Sequence, residues 1–200
     1  MESLNKKSRV EQAVHTKKIL LNKAFYLIEK NGYDNVTIDQ ICNELGLTKG
    51  AFYHHFKSKA DILKKRFKIA EGDILERYNS NLSLPPNEQL RCIFDFYVEY
   101  FQLDRLDEVK VFHKIQLDNH YKNFAVTSVF QRSVLTNIIR AGQRDGYFNK
   151  DLDCVETAKF IMTYLYGLLM EWCAYDGKLN FAASLNNFYD NYLTKLLIPK

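Results

Sequence analysis

The sequence predicts an all-α protein with an N-terminal three-helix helix-turn-helix domain and a C-terminal helical bundle. The 200 residues include only three prolines and eight glycines, the residues that most often interrupt helices. Apolar residues recur at helical spacings of three and four, and alternating runs typical of strands are few. Basic residues concentrate at one end, since residues 1–68 carry 14 Lys or Arg against 7 Asp or Glu and the rest carries 14 against 17.

Composition places the chain among ordinary globular proteins, at 46% hydrophobic and 26% charged residues. Cysteines 42, 92, 154 and 173 are widely spaced and form no Cys-x-x-Cys pair. The N-terminus has no apolar signal core, and the longest strongly apolar stretch, residues 160–170, is too short to span a membrane. We therefore expect reduced thiols, a cytoplasmic protein and no membrane partner.

Local signals define the first helices. Residues 1–9 are polar and are expected to form a loose arm. A first helix is predicted over about residues 10–30, ending at Asn31-Gly32. Thr37 is placed to cap a second helix, Gly46 can take the left-handed conformation that ends it, and Thr48 is placed to cap a third.

A third helix this short, capped and exposed, fits the major groove of DNA. Lys49 and its neighbours are small, polar or positive, whereas Phe52 and Phe56 supply packing. Gly50 costs a helix about 1 kcal/mol relative to Ala, which indicates close approach of DNA or, alternatively, a tight helix crossing. Ser58 can cap a fourth helix. The predicted DNA-binding residues are Thr37, Thr48, Lys49, Gly50, Ala51, Tyr53, His54 and Lys59.

These features together resemble the DNA-binding domain of the TetR family of bacterial transcriptional regulators. The resemblance covers residues 15–68, and its landmarks include Gly32-Tyr33, Thr37-Ile38, residues 46–50, Phe52-Tyr53 and Ser58-Lys59. Ala51 stands where the family commonly has Thr, which removes a hydroxyl from the third helix. The resemblance implies a DNA-binding domain over residues 1–60 and an effector-binding and dimerisation domain over residues 61–200.

Five further helices are predicted in the second part, at about residues 87–103, 107–117, 122–144 and in two segments after residue 152. Almost every position from Phe160 to Cys173 is apolar, so this helix must be covered on all sides. A partner subunit is the expected cover, in agreement with dimerisation in the TetR family; a monomer that buries both last helices is the alternative. The predicted interface comprises Tyr166, Met170, Leu185, Phe188, Tyr189, Tyr192, Leu193 and Leu196.

Aromatic residues are abundant in the predicted bundle. Such stripes are usually plain core, but an aromatic-rich bundle can also enclose an apolar ligand, and TetR-like bodies bind small effectors. The candidate ligand-binding residues are Phe67, Phe94, Tyr97, Phe101, Phe112, Phe130, Tyr164 and Trp172.

Catalytic and metal-binding patterns are missing from the sequence. It contains no glycine-rich phosphate loop, no Gly-x-Ser-x-Gly and no His-Glu-x-x-His, so we expect neither an enzyme nor a cofactor or metal. His54 is expected to bind phosphate or to be half-buried beside Phe52.

The resemblance implies a homodimeric repressor that an apolar or cationic effector releases from a palindromic double-stranded DNA operator. One rival hypothesis is an architectural DNA-binding protein that recruits a protein partner without an effector. A second is an enzyme whose DNA-binding head is vestigial.

Overall fold

The structure, a computed structural model, describes residues 2–117 and 125–199, and that part of the chain is helical without a strand. The all-α prediction is therefore confirmed. The chain divides into two compact units, Met1–Arg66 and Phe67–Lys200, which we call the head and the body. The domain boundary predicted after residue 60 stays a prediction.

The head contains α1 (Glu2–Asn31), α2 (Ile38–Asn43), α3 (Lys49–His55) and the start of α4 (Lys59–Ser80). The prediction of a loose arm over residues 1–9 is wrong, because α1 already begins at Glu2. Residues 2–9 contain neither Pro nor Gly, so nothing in this segment stops the helix from extending toward the terminus. Gly32 and Gly46 adopt φ of 79° and 63° and end α1 and the turn after α2 as predicted.

One hydrophobic core holds the head helices together. Ile28 of α1, Ile41 of α2, Phe52 of α3 and Ile62 of α4 are all fully buried in it. Leu20, Ala24 and Leu27 on the same face of α1 are buried as well. Each short helix thus contributes one large side chain, and the three-residue spacing of Ile38 and Ile41 faces α2 inward as the sequence predicts.

The body contains the rest of α4, then α5 (Pro86–Tyr100), a 3₁₀ turn (Leu103–Arg105), α6 (Leu106–Leu117), α7 (Ala125–Arg144) and α8 (Cys154–Ala174). Sequence signals again fix the ends. Pro86 occupies the first turn of α5, and the Asp153 carboxylate accepts hydrogen bonds from the first amides of α8. Gly146, at φ 83°, follows α7.

The C-terminal segment departs from the prediction of a single regular helix. It consists of α9 (Phe181–Phe188), a π-helical turn (Tyr189–Leu193) and α10 (Thr194–Leu197). Leu185, Phe188, Tyr189 and Leu193 are buried in the core of their own chain. The extra residue in the wide turn rotates Tyr192 out of that face, and it is 63% exposed.

Within the described ranges, no helix has the length and apolar character needed to cross a membrane.

Candidate nucleic-acid interface and body cavity

Two threonine caps fix the ends of the helix-turn-helix. The Thr37 hydroxyl accepts a hydrogen bond from the Gln40 amide at 3.1 Å, and the Thr48 hydroxyl accepts one from the Ala51 amide at 3.2 Å. Both predicted caps are confirmed. Each satisfies an amide that the first helical turn leaves without an intrahelical partner. The Ser58 hydroxyl likewise accepts from the Asp61 amide at 3.3 Å at the start of α4.

The predicted DNA-binding residues are exposed on the start of α2 and on α3, with two exceptions. Ala51 and Lys59 are half-buried. Tyr53 is 54% exposed, and its ring packs edge-on at 5.6 Å against that of buried Phe52. The exposed members are Thr37, Thr48, Lys49, Gly50, Tyr53 and His54. DNA contact by these residues stays a prediction.

Gly50 lies where a side chain would meet almost nothing of this chain. A β carbon built there has only the Thr48 hydroxyl oxygen within 4 Å, at 3.6 Å. That is an ordinary van der Waals distance. The alternative explanation of Gly50, a tight helix crossing, therefore finds no crowding neighbour among the described residues.

Lys49 forms an ion pair that the sequence did not reveal. Its Nζ lies 2.7 Å from Asp39 Oδ1, and the two side chains are 61% and 53% exposed. The pair joins the first turns of α2 and α3. Among the predicted DNA-binding cations, Lys49 thus has a carboxylate partner within its own head.

Lys59 has an architectural role that the sequence also did not reveal. Its Nζ donates hydrogen bonds to the Tyr33 and Val36 carbonyl oxygens at 2.6 and 2.7 Å, and it lies 4.0 Å from the Tyr33 ring centroid. Burial lowers the pKa of Lys59, partly opposed by Asp34. An ammonium has three N–H donors, and the two carbonyls occupy two of them. One donor therefore remains for the predicted phosphate contact.

The two neighbouring histidines differ in environment. His54 is exposed and His55 is half-buried, with ring centroids 4.9 Å apart. Burial lowers the pKa of His55, and the nearby charges of His54 and Lys17 lower it further. The predicted alternative of a half-buried histidine therefore describes His55 rather than His54.

The body encloses a cavity of about 40 Å³ among α4, α5, α6, α7 and α8. Its wall is mostly aromatic and aliphatic. Polar groups come from Tyr97, Tyr100, Tyr166, His113 and Gln131. Burial raises the pKa of Tyr97 above its usual range and the pKa of Tyr166 to about 12, so both hydroxyls stay protonated and can donate.

The structure separates the predicted ligand-binding residues. Tyr97 and Phe101 line the cavity. Phe94 is buried against Tyr189 and Phe188, Trp172 is buried against Phe181, and Tyr164 stacks on Phe188 at 3.7 Å. The side chains of Phe67, Phe112 and Phe130 lie outside the described part of the structure.

Sequence reasoning missed several lining residues. Phe96 and Tyr100 neighbour Tyr97 and Phe101 on α5 at the same helical spacing, and that spacing was the available signal. Tyr166, predicted for the dimer interface, lines the cavity. Nothing in the local sequence distinguishes the remaining lining residues from core: Ala70, Ile74, Val109, His113, Gln131, Leu165 and Leu169.

A surface groove of about 520 Å³ lies beside the cavity. Phe96 and Tyr100 line both spaces, and their rings stack at a centroid distance of 5.5 Å. The Arg105 guanidinium lies 4.5 Å from the Tyr100 ring centroid. These two aromatic side chains therefore form the partition between cavity and groove.

The predicted interface residues also fall into two groups. Leu185, Phe188, Tyr189 and Leu193 belong to the core of the body, so they cannot supply an exposed docking surface as the chain stands. Exposed fractions are 42% for Met170, 63% for Tyr192 and 41% for Leu196. Phe160, missed by the prediction, is 50% exposed.

No group of three or more potential metal ligands occurs among the described residues.

Comparison with known proteins gives the family. The profile of bacterial regulatory proteins of the tetR family matches residues 20–65. The Transposon Tn10 TetC protein of Escherichia coli is 35% identical over 98 residues, 48% of this chain and 49% of TetC. The fatty acid metabolism regulator protein of Bacillus subtilis is 21% identical over 172 residues, 84% and 89% of the two chains.

The match to the first of these relatives thus spans only about half of its length. Solved structures cover more of the chain. FadR of Thermus thermophilus, in complex with lauroyl-CoA, has a TM-score of 0.72 at 16% identity and covers 92% of this chain and 96% of its own. A putative transcriptional regulator from Saccharomonospora viridis, in complex with choline, has a TM-score of 0.68 at 23% identity, covering 90% and 97%. At these identities the structures establish the shared fold. The helix-turn-helix, its caps and the profile match show that residues 20–65 belong to the tetR family of bacterial regulatory proteins.

Proposed function

We propose that the protein is a cytoplasmic, homodimeric transcriptional repressor that binds a palindromic DNA operator and is released by a small effector. The observation that supports DNA binding is the set of exposed polar and basic residues at α2 and α3. Two threonine caps and a buried core hold these helices in place. An enrichment of basic residues in the head favours phosphate contact. Family membership supports the same function.

Gly50 offers the sharpest test of which surface meets DNA. Gly50→Ala adds a methyl group at ordinary contact distance from Thr48, so folding is retained and gains up to about 1 kcal/mol. If the DNA backbone approaches here, the same methyl group weakens operator binding about tenfold. Gly72→Ala on α4 is the matched control, because a β carbon there meets nothing within 4 Å and the site lies outside the proposed DNA-binding surface. Equal operator affinity of the Gly50→Ala variant and the parent would show that the DNA backbone does not approach α3 at Gly50.

The operator itself is obtained by incubating the purified protein with genomic fragments and footprinting those that shift. One or a few palindromic sites support the repressor. Dozens of dispersed sites without a shared palindrome support the architectural alternative. If no fragment shifts at low salt, the protein does not act through DNA and the proposal fails.

The body cavity supports an effector site. At about 40 Å³ it is far smaller than the roughly 300–1,000 Å³ of ordinary ligand sites, so an effector must move side chains to enter. Turning the Tyr100 ring would join the cavity to the groove of about 520 Å³. We infer that Tyr100 is the side chain that moves.

Tyr97 is the proposed polar anchor of the effector. Its hydroxyl is buried and, within residues 2–117 and 125–199, donates to the Met162 sulfur at 3.9 Å, and a thioether is a weak acceptor. An oxygen acceptor on the ligand would be a better partner for this buried donor. The effector is therefore an apolar molecule with an oxygen acceptor. A cationic group at its other end is favoured because the groove's three carboxylates, on Asp73, Glu76 and Glu99, outnumber its two guanidinium groups, on Arg77 and Arg105.

A ligand panel tests the effector. It includes long-chain acyl-CoA and choline, because similar structures hold them, together with fatty acids and cationic dyes. The effector is the compound that lowers operator affinity, and DNA must weaken its binding by the same factor. Tyr97→Phe should weaken its binding about tenfold and leave operator affinity without effector unchanged. If no compound in the panel or in a metabolite extract alters operator affinity, the architectural alternative replaces the effector-responsive repressor.

The homodimer is proposed to form through the exposed apolar face of α8 and the C-terminal segment. Phe160, Met170, Tyr192 and Leu196 are each at least 41% exposed. Phe160 and Tyr164 both pack on Phe188, so the two helical segments present one surface. Exposed aromatic and aliphatic residues grouped in this way mark interaction sites on globular proteins.

A further inference from the structure

The Lys49–Asp39 ion pair lies within the proposed DNA-binding surface. It compensates an unfavourable electrostatic interaction of Lys49 with its own helix. Lys49 is the first residue of α3, and a cation is unfavourable at the positive end of a helix dipole. Asp39 lies in the first turn of α2, where a carboxylate is favourable. The pair at 2.7 Å therefore offsets the unfavourable position of Lys49 in the DNA-free head.

The pair is also open to exchange. The Lys49 and Asp39 side chains are 61% and 53% exposed, and exposed ion pairs contribute little stability. A DNA phosphate can replace Asp39 as the partner of the ammonium. It would then lie close to the Asp39 carboxylate and be repelled by it.

A base edge does not meet that repulsion. Guanine presents the neutral acceptors O6 and N7 in the major groove, and an ammonium has three protons to donate. Lys49 can therefore contact a guanine while it keeps Asp39 as a partner. The carboxylate penalises a phosphate contact of Lys49 and tolerates a base contact.

On this geometry, and resting on the proposed function, we propose that Asp39 is a specificity-determining residue: its carboxylate holds the Lys49 ammonium away from phosphates and so lowers affinity for non-operator DNA more than for operator DNA. Asp39 itself need touch no base. It acts through Lys49, and its effect depends on the presence of that lysine.

The test measures binding of the full-length protein to two labelled duplexes of equal length at salt concentrations from low to above physiological. One is a fragment that the parent selects from a random pool, and the other is a scrambled version of it. Asp39→Asn should tighten binding to the scrambled duplex about threefold to tenfold at physiological salt and steepen its salt dependence by about 0.9. Affinity for the selected duplex should rise about twofold or less, so the ratio of the two affinities falls.

Glu44→Gln is the matched control. It makes the same change of charge in the same head, but Glu44 pairs with Lys23 at 3.0 Å and is 44% exposed. It should leave the discrimination ratio unchanged. In the Lys49→Met variant, the further change Asp39→Asn should leave the discrimination ratio unchanged.

Three results would overturn the inference: an unchanged ratio in Asp39→Asn, the same fall in ratio in Glu44→Gln, or an Asp39→Asn effect that persists without Lys49. Circular dichroism melts check folding, and Asp39→Ser, which keeps a residue suited to the start of a helix, replaces Asp39→Asn if that variant unfolds. A parent that selects no DNA from the pool refutes the proposed function instead, so the two failures are distinct.

Discussion

Lys59 provides the strongest prediction for the stability of the head. Lys59→Met keeps most of the aliphatic stem and removes the ammonium that donates to the Tyr33 and Val36 carbonyls. We expect the head to lose stability rather than merely a phosphate contact. Those two carbonyls belong to the segment between α1 and α2, which the lysine ties to the start of α4.

The magnitude follows from the interactions that the substitution removes. A hydrogen bond to a charged group contributes about 1.5–3 kcal/mol, and the position is half-buried, so the lower end applies to each of the two. The ammonium also lies 4.0 Å from the Tyr33 ring centroid, which adds about 0.5–1 kcal/mol. Because water reaches the freed carbonyls and offsets part of this sum, Lys59→Met should cost about 2–4 kcal/mol. For a unit of this size, that lowers the melting temperature by about 10 °C or more.

The assay is thermal unfolding followed by circular dichroism, with amide hydrogen exchange to locate the loss in α2 and α3. Lys57→Met is the control, because it removes the same charge from an exposed side chain close by in the sequence and should change stability little. Equal melting temperatures for the two variants would refute the reasoning. If Lys59→Met then only lowered the salt dependence of DNA binding, by about one unit, Lys59 would be a phosphate contact as the sequence predicts.

Three further predictions concern packing, assembly and pH. Gly142→Ala should destabilise the body by about 1–3 kcal/mol in a denaturant melt, because its β carbon would lie 2.0 Å from the Phe148 ring. Tyr192→Glu with Leu196→Glu should yield a folded monomer by sedimentation and lose operator binding, because both side chains are exposed on the proposed interface. The head should lose stability as pH falls below the ordinary histidine pKa of about 6.5, because the unfolded chain binds the proton more readily than folded His55 does. The loss should stop once pH is below the folded pKa of His55. His55→Gln should flatten this part of the plot of stability against pH.

Each of these has a contradicting result. Gly72→Ala, with open space around its β carbon, should be neutral or stabilising, and an equal loss in both glycine variants would exclude the Phe148 clash. A dimer that survives both glutamates would place the interface elsewhere, and Leu82→Glu, at a 54% exposed site, controls for added charge. An unchanged pH profile in His55→Gln would assign the acid sensitivity to another group.

Features that depend on residues close together in the sequence could be predicted, and contacts between residues far apart in the sequence could not. Caps at Thr37 and Thr48 and the left-handed Gly46 were predictable because each depends on residues within a few positions. The carbonyl partners of Lys59 could not be predicted, because they lie 26 and 23 residues away in the chain. The Asp39 partner of Lys49 was missed for a similar reason, since nothing in the spacing of two short helices identifies which charges meet.

The body shows the same limit. Aromatic residues at helical spacing look alike whether they fill a core, as Phe94 and Trp172 do, or line a cavity, as Tyr97 and Phe101 do. Which of them borders empty space depends on the packing of five helices at once. The π-helical turn was likewise invisible, because its residues have no composition that separates them from an α-helix.

That turn sets the phase of everything C-terminal to it. In a regular α-helix, Tyr192 would share a face with Leu185, Phe188 and Tyr189, yet it is exposed while those three are buried. The wide turn between Tyr189 and Leu193 keeps Leu193 and Leu197 in the core and leaves Tyr192 and Leu196 on the outer face. If the same residues formed a regular α-helix without the wide turn, Tyr192 and Leu196 would turn inward and Leu193 and Leu197 would leave the core. The length of this turn, more than the identity of its side chains, therefore decides which residues the C-terminus offers to another molecule.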